Sequence, residues 1–175
     1  MAVLPIRLIP DPVLRQKCHP VEVFDTGLER FAQDMVETMH AAPGIGLAAP
    51  QVGDLRRLVV VDLSVGDDPD QLKVFVNPVI HDPEGQDSEL EGCLSIPELT
   101  EKVKRPEKLR LAYQDLSGRP QELAADGWLA RAICHEVDHL DGVLFIDHLR
   151  GLRRERTRRQ LKKLLKRRQE ELSES

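Results

Sequence analysis

Aromatic side chains are nearly missing from this sequence: one Trp, one Tyr and four Phe in 175 residues. The core must therefore be filled by Leu, Val, Ile and Ala. Cysteine is almost as scarce. Three cysteines, an odd number with no signal-peptide pattern beside them, argue against a disulfide framework and for a reducing compartment. The start, MAVLPIRLIPDPVL, is broken by Arg7 and by Pro5, Pro10 and Pro12, so it has no continuous hydrophobic region of the secretory kind. No segment approaches the roughly 20 apolar residues that a membrane helix needs. These absences point to a soluble cytoplasmic chain with no membrane partner. What is present fits that: 41% hydrophobic and 31% charged residues make a globular chain of a length that buries one core.

The most informative stretch is residues 128–148, WLARAICHEVDHLDGVLFIDH, and within it His135-Glu136-Val137-Asp138-His139. Asp126 is suited to cap a helix here, Leu129, Ala130, Arg131 and Ala132 are good helix formers, and Gly142 follows as a stop. On a helix, His135 and His139 stand one above the other on one face. Two imidazoles so placed can share one metal ion, while Glu136, about 100° round the helix, can reach a water beside it. A lone histidine is usually a hydrogen-bonded core residue; two at this spacing around a glutamate favour the metal.

Upstream, residues 11–18 suggest a short helical turn, and Asp25 an N-cap for a helix over 26–40 with Leu28, Phe31, Ala32, Met35, Val36 and Met39 on its buried face. GIGLAAPQ (44–51) reads most simply as a tight loop, with Gly44 and Gly46 allowing close approach and Gln51 as its only polar side chain. RRLVVVDL, KVFVNPVI, a run around 99–105, KLRLAYQD and QELAADG then read as strands. No helix fits between them, so the expected fold is α+β, with mostly antiparallel sheets packed around a central metal-binding helix and a basic C-terminal helix.

EGCLSIP (91–97) interrupts the strand region. A three-ligand site with one position open for water needs a third protein ligand. Cys93 is one candidate; His19, His40, His81, His148, Asp138 and Asp147 are others, and spacing does not choose among them. Cys18 and Cys134 read as small buried hydrophobes. The net charge of −5 divides unevenly: residues 150–175 hold eleven Lys/Arg against four Asp/Glu, leaving −12 on residues 1–149. The tail reads as a projecting helix anchored through its first turns by a broken stripe of Leu149, Leu152, Leu161, Leu164 and Leu165. Its charge suits a polyanion, most simply RNA.

Taken in order, Gly44-Ile45-Gly46-Leu47-Ala48-Ala49-Pro50-Gln51, Glu91-Gly92-Cys93-Leu94-Ser95 and His135-Glu136-Val137-Asp138-His139-Leu140 resemble the peptide deformylases, over about residues 3–150. The resemblance implies removal of the formyl group from formyl-methionine at the start of nascent polypeptides, with release of formate. It implies Cys93, His135 and His139 as metal ligands, Glu136 as acid/base, and Gln51 with the Leu94 N–H facing the reacting carbonyl oxygen. Ferrous iron is the implied cofactor, with Zn²⁺, Ni²⁺ or Co²⁺ as substitutes. Cys134 departs from the pattern, since many members carry Gln there. Gly44, Ile45, Gly46, Trp128 and Ala132 are candidates for the methionine site, although Trp128 could equally be core. The division expected is a single catalytic domain, 1–149, and a basic helical extension, 150–175. A monomer is expected, cytoplasmic in a bacterium or in an organellar stroma or matrix, with the ribosome as a partner through the tail. Two other readings remain: a zinc peptidase, which shares His-Glu-x-x-His, and an RNA-binding module with a structural metal.

Overall fold

A computed structural model describes residues 2–175. Helix α1 (Thr26–Ala41) opens the body, and Asp25 caps it by accepting from the Leu28 N–H at 2.9 Å. Strands β1 (Gly46–Ala48), β2 (Leu58–Val61), β3 (Lys73–Glu84), β6 (Lys108–Gln114) and β7 (Pro120–Asp126) form one sheet in the order β1-β2-β3-β6-β7. Strands β4 (Asp87–Cys93) and β5 (Ile96–Arg105) form a separate hairpin, and helix α2 (Gly127–Leu140) follows β7. Every pairing among these strands is antiparallel, which matches the α+β expectation.

The two helices explain the unbroken apolar run of β2. Leu58 and Val60 pack with Leu28, Met35 and Met39 of α1, while Val59 and Val61 pack with Ala130, Ile133 and Leu140 of α2. A strand covered on both faces needs no polar alternation. The sheet thus lies between α1 and α2. A third cluster, Ile9, Leu14, Ile96, Leu99, Val103, Leu144 and Phe145, ties the hairpin to the N-terminal segment and to the turn after α2.

Two expectations shift and one takes a definite form. Strand β4 was not legible, because Glu91 is its only buried residue and it shows no apolar alternation. The short helical turn expected in residues 11–18 forms as a 3-10 turn over Pro12–Arg15; beyond it the Cys18 and His19 N–H groups donate to Leu140 and Leu55 carbonyls. The tail is one helix, α3 (Gly151–Glu174), but its anchor lies in its middle. Leu152 is 87% exposed, whereas Thr157 and Leu164 are buried and Leu161 and Leu165 pack on the third cluster. Buried Glu101 of β5 accepts from Arg156 Nη2 at 2.9 Å and holds that register. No helix is long and apolar enough to cross a membrane among the described residues.

Candidate metal centre and its cavity

Three elements converge at the face of α2. Cys93 ends β4, where the pairing register shifts between Gly92 and Cys93, and its Sγ lies 3.3 Å from His139 Nε2. His135 and His139 stand one helical turn apart, with ring centroids separated by 5.0 Å. One ligand atom from each of Cys93, His135 and His139 falls within 4.8 Å of the others, and no second cluster of three such groups occurs among the described residues. Several rival ligands are engaged elsewhere: His40 with Asp62, His148 with Asp138, and Asp147 with Arg15. A sulfur and two imidazoles suit a divalent cation with a position left open. His139 Nδ1 and Glu136 Oε2 are buried with no hydrogen-bond partner among the described residues. An unpartnered carboxylate oxygen beside three convergent donors is unusual in a merely structural core.

Gln51 sits in a 3-10 turn, Ala49–Val52, directly after β1. Its Oε1 accepts from the Ala48 N–H at 3.0 Å, which aims Nε2 at Cys93 Sγ (3.6 Å) and Ser95 Oγ (3.2 Å). Leu94 occupies the two-residue turn between β4 and β5, and Gly44 abuts it: a Cβ on Gly44 would lie 2.8 Å from Leu94 Cδ1. Gly46 meets Glu136 in the same way, its missing Cβ only 2.6 Å from Oε1. A cavity of about 420 Å³ opens here. Gly44, Ile45, Gly46, Trp128 and Ala132 line it together with Gln51, Cys93, Leu94, His135 and Glu136, whereas His139 lies behind at 1% exposure. Trp128 is 53% exposed at the rim and is not core. Asp126 stands at the N-cap of α2, but its side chain makes no capping hydrogen bond.

Burial and hydrogen bonding together set the titration of the site. Burial pushes the Glu136 carboxyl up to about 7. It also drives His139 well below the ordinary histidine value, helped by the charge on His135, and so favours the neutral ring that binds metals. At His135 burial pulls the same way but is outweighed by hydrogen bonds with Cys93 and Glu91, which lift it; a cation would displace that proton. Cys134 is buried and its thiol is pushed up to about 11, which suits an inert small hydrophobe.

Sequence reasoning missed the residues that support these three donors. Glu91, 6% exposed, accepts from His135 Nδ1 at 2.9 Å, from Arg105 Nε at 2.8 Å and Nη2 at 2.9 Å, and from Arg131 Nη1 at 2.6 Å. Burial raises its carboxyl, but the Arg105 and His135 hydrogen bonds outweigh that and hold it at about 2. A charged acceptor on Nδ1 fixes the ring so that Nε2 faces the cation site. Arg105 also reaches Asp138 Oδ2 at 2.7 Å, which turns that carboxylate away from ligation. The signal for this network was thin: Glu91 stands in the quoted motif, but nothing in the sequence marks Arg105 or Arg131 as buried.

A family model described as polypeptide deformylase matches residues 3–155. A peptide deformylase of Azotobacter vinelandii is 50% identical over 167 residues, covering 93% of this chain and 96% of its own. That of Brucella suis is 47% identical over 165 residues, covering 94% of each. Among solved structures, peptide deformylase from Thermus thermophilus superposes with a TM-score of 0.89 at 46% identity, over 97% of this chain and 99% of the other. The extent of these matches and the convergence of the three motifs on one cavity lead to one conclusion: the chain belongs to the polypeptide deformylase family.

Proposed function

We propose that Cys93 Sγ and one ring nitrogen each of His135 and His139 hold a single divalent cation, and that the cavity beside it receives formyl-methionine at the start of a nascent polypeptide. The reaction is hydrolysis of the formyl amide, releasing formate and a free amino terminus. When bound, the cation supplies Lewis acidity toward the formyl group and the attacking water. Ferrous iron is our choice for the ion, with Zn²⁺, Ni²⁺ or Co²⁺ able to replace it.

Glu136 takes the proton of the attacking water and returns it to the leaving amine; a carboxyl raised by burial suits both steps. Gln51 Nε2, already oriented through the Ala48 N–H, and the Leu94 N–H donate to the oxygen where negative charge grows. One such donor is worth about 2.7 to 4 kcal/mol. Gly44, Ile45, Gly46, Trp128 and Ala132 accommodate the methionine side chain. The peptide backbone adds along β1, the edge strand of the sheet, through contacts that do not depend on sequence. Residues 1–149 act as the catalytic domain, and 150–175 as an extension whose exposed basic face meets ribosomal RNA. The protein works as a monomer in a bacterial cytoplasm, or in an organellar stroma or matrix.

The convergence of Cys93, His135 and His139 around Glu136 carries this reading. Formate release from formyl-Met-Ala-Ser, with none of the corresponding acetate release from its acetylated twin, tests it, with metal content measured in the same sample. Cys93→Ser is expected to lose both metal and turnover; a variant that kept both would place the third ligand elsewhere.

A further inference from the structure

Asp62, directly after β2, is 1% exposed, so its carboxylate is held in the interior. Four donors satisfy it. Oδ1 accepts from the Ser64 N–H at 2.9 Å and Ser64 Oγ at 2.6 Å; Oδ2 accepts from the Gly66 N–H at 3.0 Å and meets His40 Nε2 at 2.7 Å. Burial raises the carboxyl, but the Ser64 and His40 hydrogen bonds outweigh it and keep Asp62 below the usual range. Gly66, at φ 92°, lies against the His40 ring, with 3.6 Å between the ring and the place of its missing Cβ.

A turn cap alone would need neither a histidine from another element nor full burial. The second observation is what Asp62 does with its backbone: its N–H donates to the Ile45 carbonyl at 2.8 Å, immediately before β1. The Gly44 N–H in turn donates to Met39 O at 2.8 Å, next to His40 in the last turn of α1. Residues 40–45 are therefore clasped at both ends, and this segment includes the Pro43–Ile45 wall of the cavity. On the far side, Gly46 faces Glu136 so closely that a Cβ there would lie 2.6 Å from its Oε1. We infer that the His40–Asp62 pair is a positioning device for substrate: it fixes the height of the β1 edge along which the peptide backbone pairs. Hydrogen bonds to a charged acceptor are shorter and about twice as strong as neutral ones, which suits a clasp that must hold an edge to tenths of an ångström. This rests on the deformylase reading above.

The test compares the KM of formyl-Met-Ala with that of formyl-Met-Ala-Ser-Lys. In the native enzyme the longer peptide should have the lower KM, because it makes more contacts with β1. His40→Leu leaves Asp62 its Ser64 and Gly66 donors, so the fold survives. This variant should raise the KM of the longer peptide at least fivefold, leave kcat within twofold and erase the length advantage. His40→Gln, whose amide nitrogen can replace Nε2, should restore it. A His40→Leu enzyme that melts earlier yet keeps the native KM at both lengths would reduce the pair to a turn staple, as would a native enzyme with no length advantage. Absence of formate release from the native enzyme would instead sink the deformylase reading.

Discussion

Gly46→Ala separates geometry from composition more sharply than removal of any ligand. The added methyl would stand 2.6 Å from Glu136 Oε1 and 3.0 Å from its Cγ and Cδ. Ordinary contact begins at 3.4 Å, so something must retreat by about 0.8 Å, the difference between those two distances. Neither side yields freely. β1 is paired to β2 through Gly46, Leu47 and Ala48, and Glu136 is buried on a helix packed under the sheet. Gly46 has no positive φ, so alanine is tolerated by the backbone and the effect is steric alone. Overpacking of this kind costs about 1 to 3 kcal/mol of stability. Displacing a catalytic group by about 1 Å can cost on the order of 10²-fold in rate, which is about 2.7 kcal/mol of transition-state stabilisation. The assay is kcat/KM for formate release from formyl-Met-Ala-Ser, with metal content and melting temperature in parallel. The expected variant retains its metal and loses about two orders of magnitude. A folded, metal-replete variant within twofold of the native enzyme would show that Glu136 has room to move, and the argument from close approach would fail.

Glu136→Gln keeps the shape but cannot carry the proton, so formate release should drop by about 10² to 10⁴ with metal content unchanged by elemental analysis. Glu91→Ala leaves the Arg105 and Arg131 guanidinium groups buried beside an absent partner, and denaturant titration should show a loss of about 3 to 5 kcal/mol. Because the folded state holds Glu91 near 2 against an ordinary value of 4.5, its contribution is complete above the ordinary value and drains as pH falls toward 2; the alanine variant should lose less of its remaining stability across that window. Arg159, Lys162 and Lys166 are exposed on α3 and form no ion pair among the described residues, unlike Arg156 and Arg167, which pair with Glu101 and Glu98. Reversing those three to Glu should weaken salt-sensitive cosedimentation with ribosomes and leave short-peptide turnover within twofold.

What the sequence made legible was whatever one element supplies by itself. Two imidazoles and a carboxylate within one turn of α2 follow from helical period alone, and so does the buried face of α1 from Leu28 to Met39. The third donor, Cys93, could be placed only by resemblance, because the hairpin and α2 meet through tertiary packing that no spacing encodes. The same limit hid β4. A strand whose single buried residue is a glutamate has no hydrophobic signature, and its reason for existing is the pair of arginines that arrive from β5 and α2.

That strand also shows why the illegible part matters to the chemistry. Glu91 spans the gap between the element carrying the sulfur and the element carrying the imidazoles, two residues from Cys93 and in direct contact with His135. The cost of burying its charge is offset by two guanidinium groups, so the hairpin cannot shift against α2 without separating buried charges. An apolar contact at the same place would hold the elements together but would leave them free to slide, since hydrophobic attraction has no direction. A charged, multiply bonded carboxylate fixes distance and orientation together. If these three groups hold a cation as proposed, they are arranged before it arrives, and the cost of arranging them falls on folding rather than on binding. Hydrophobic patterning shows where a chain gains stability; it passes over the buried charges with which this chain fixes the hairpin carrying Cys93 against the helix carrying His135 and His139.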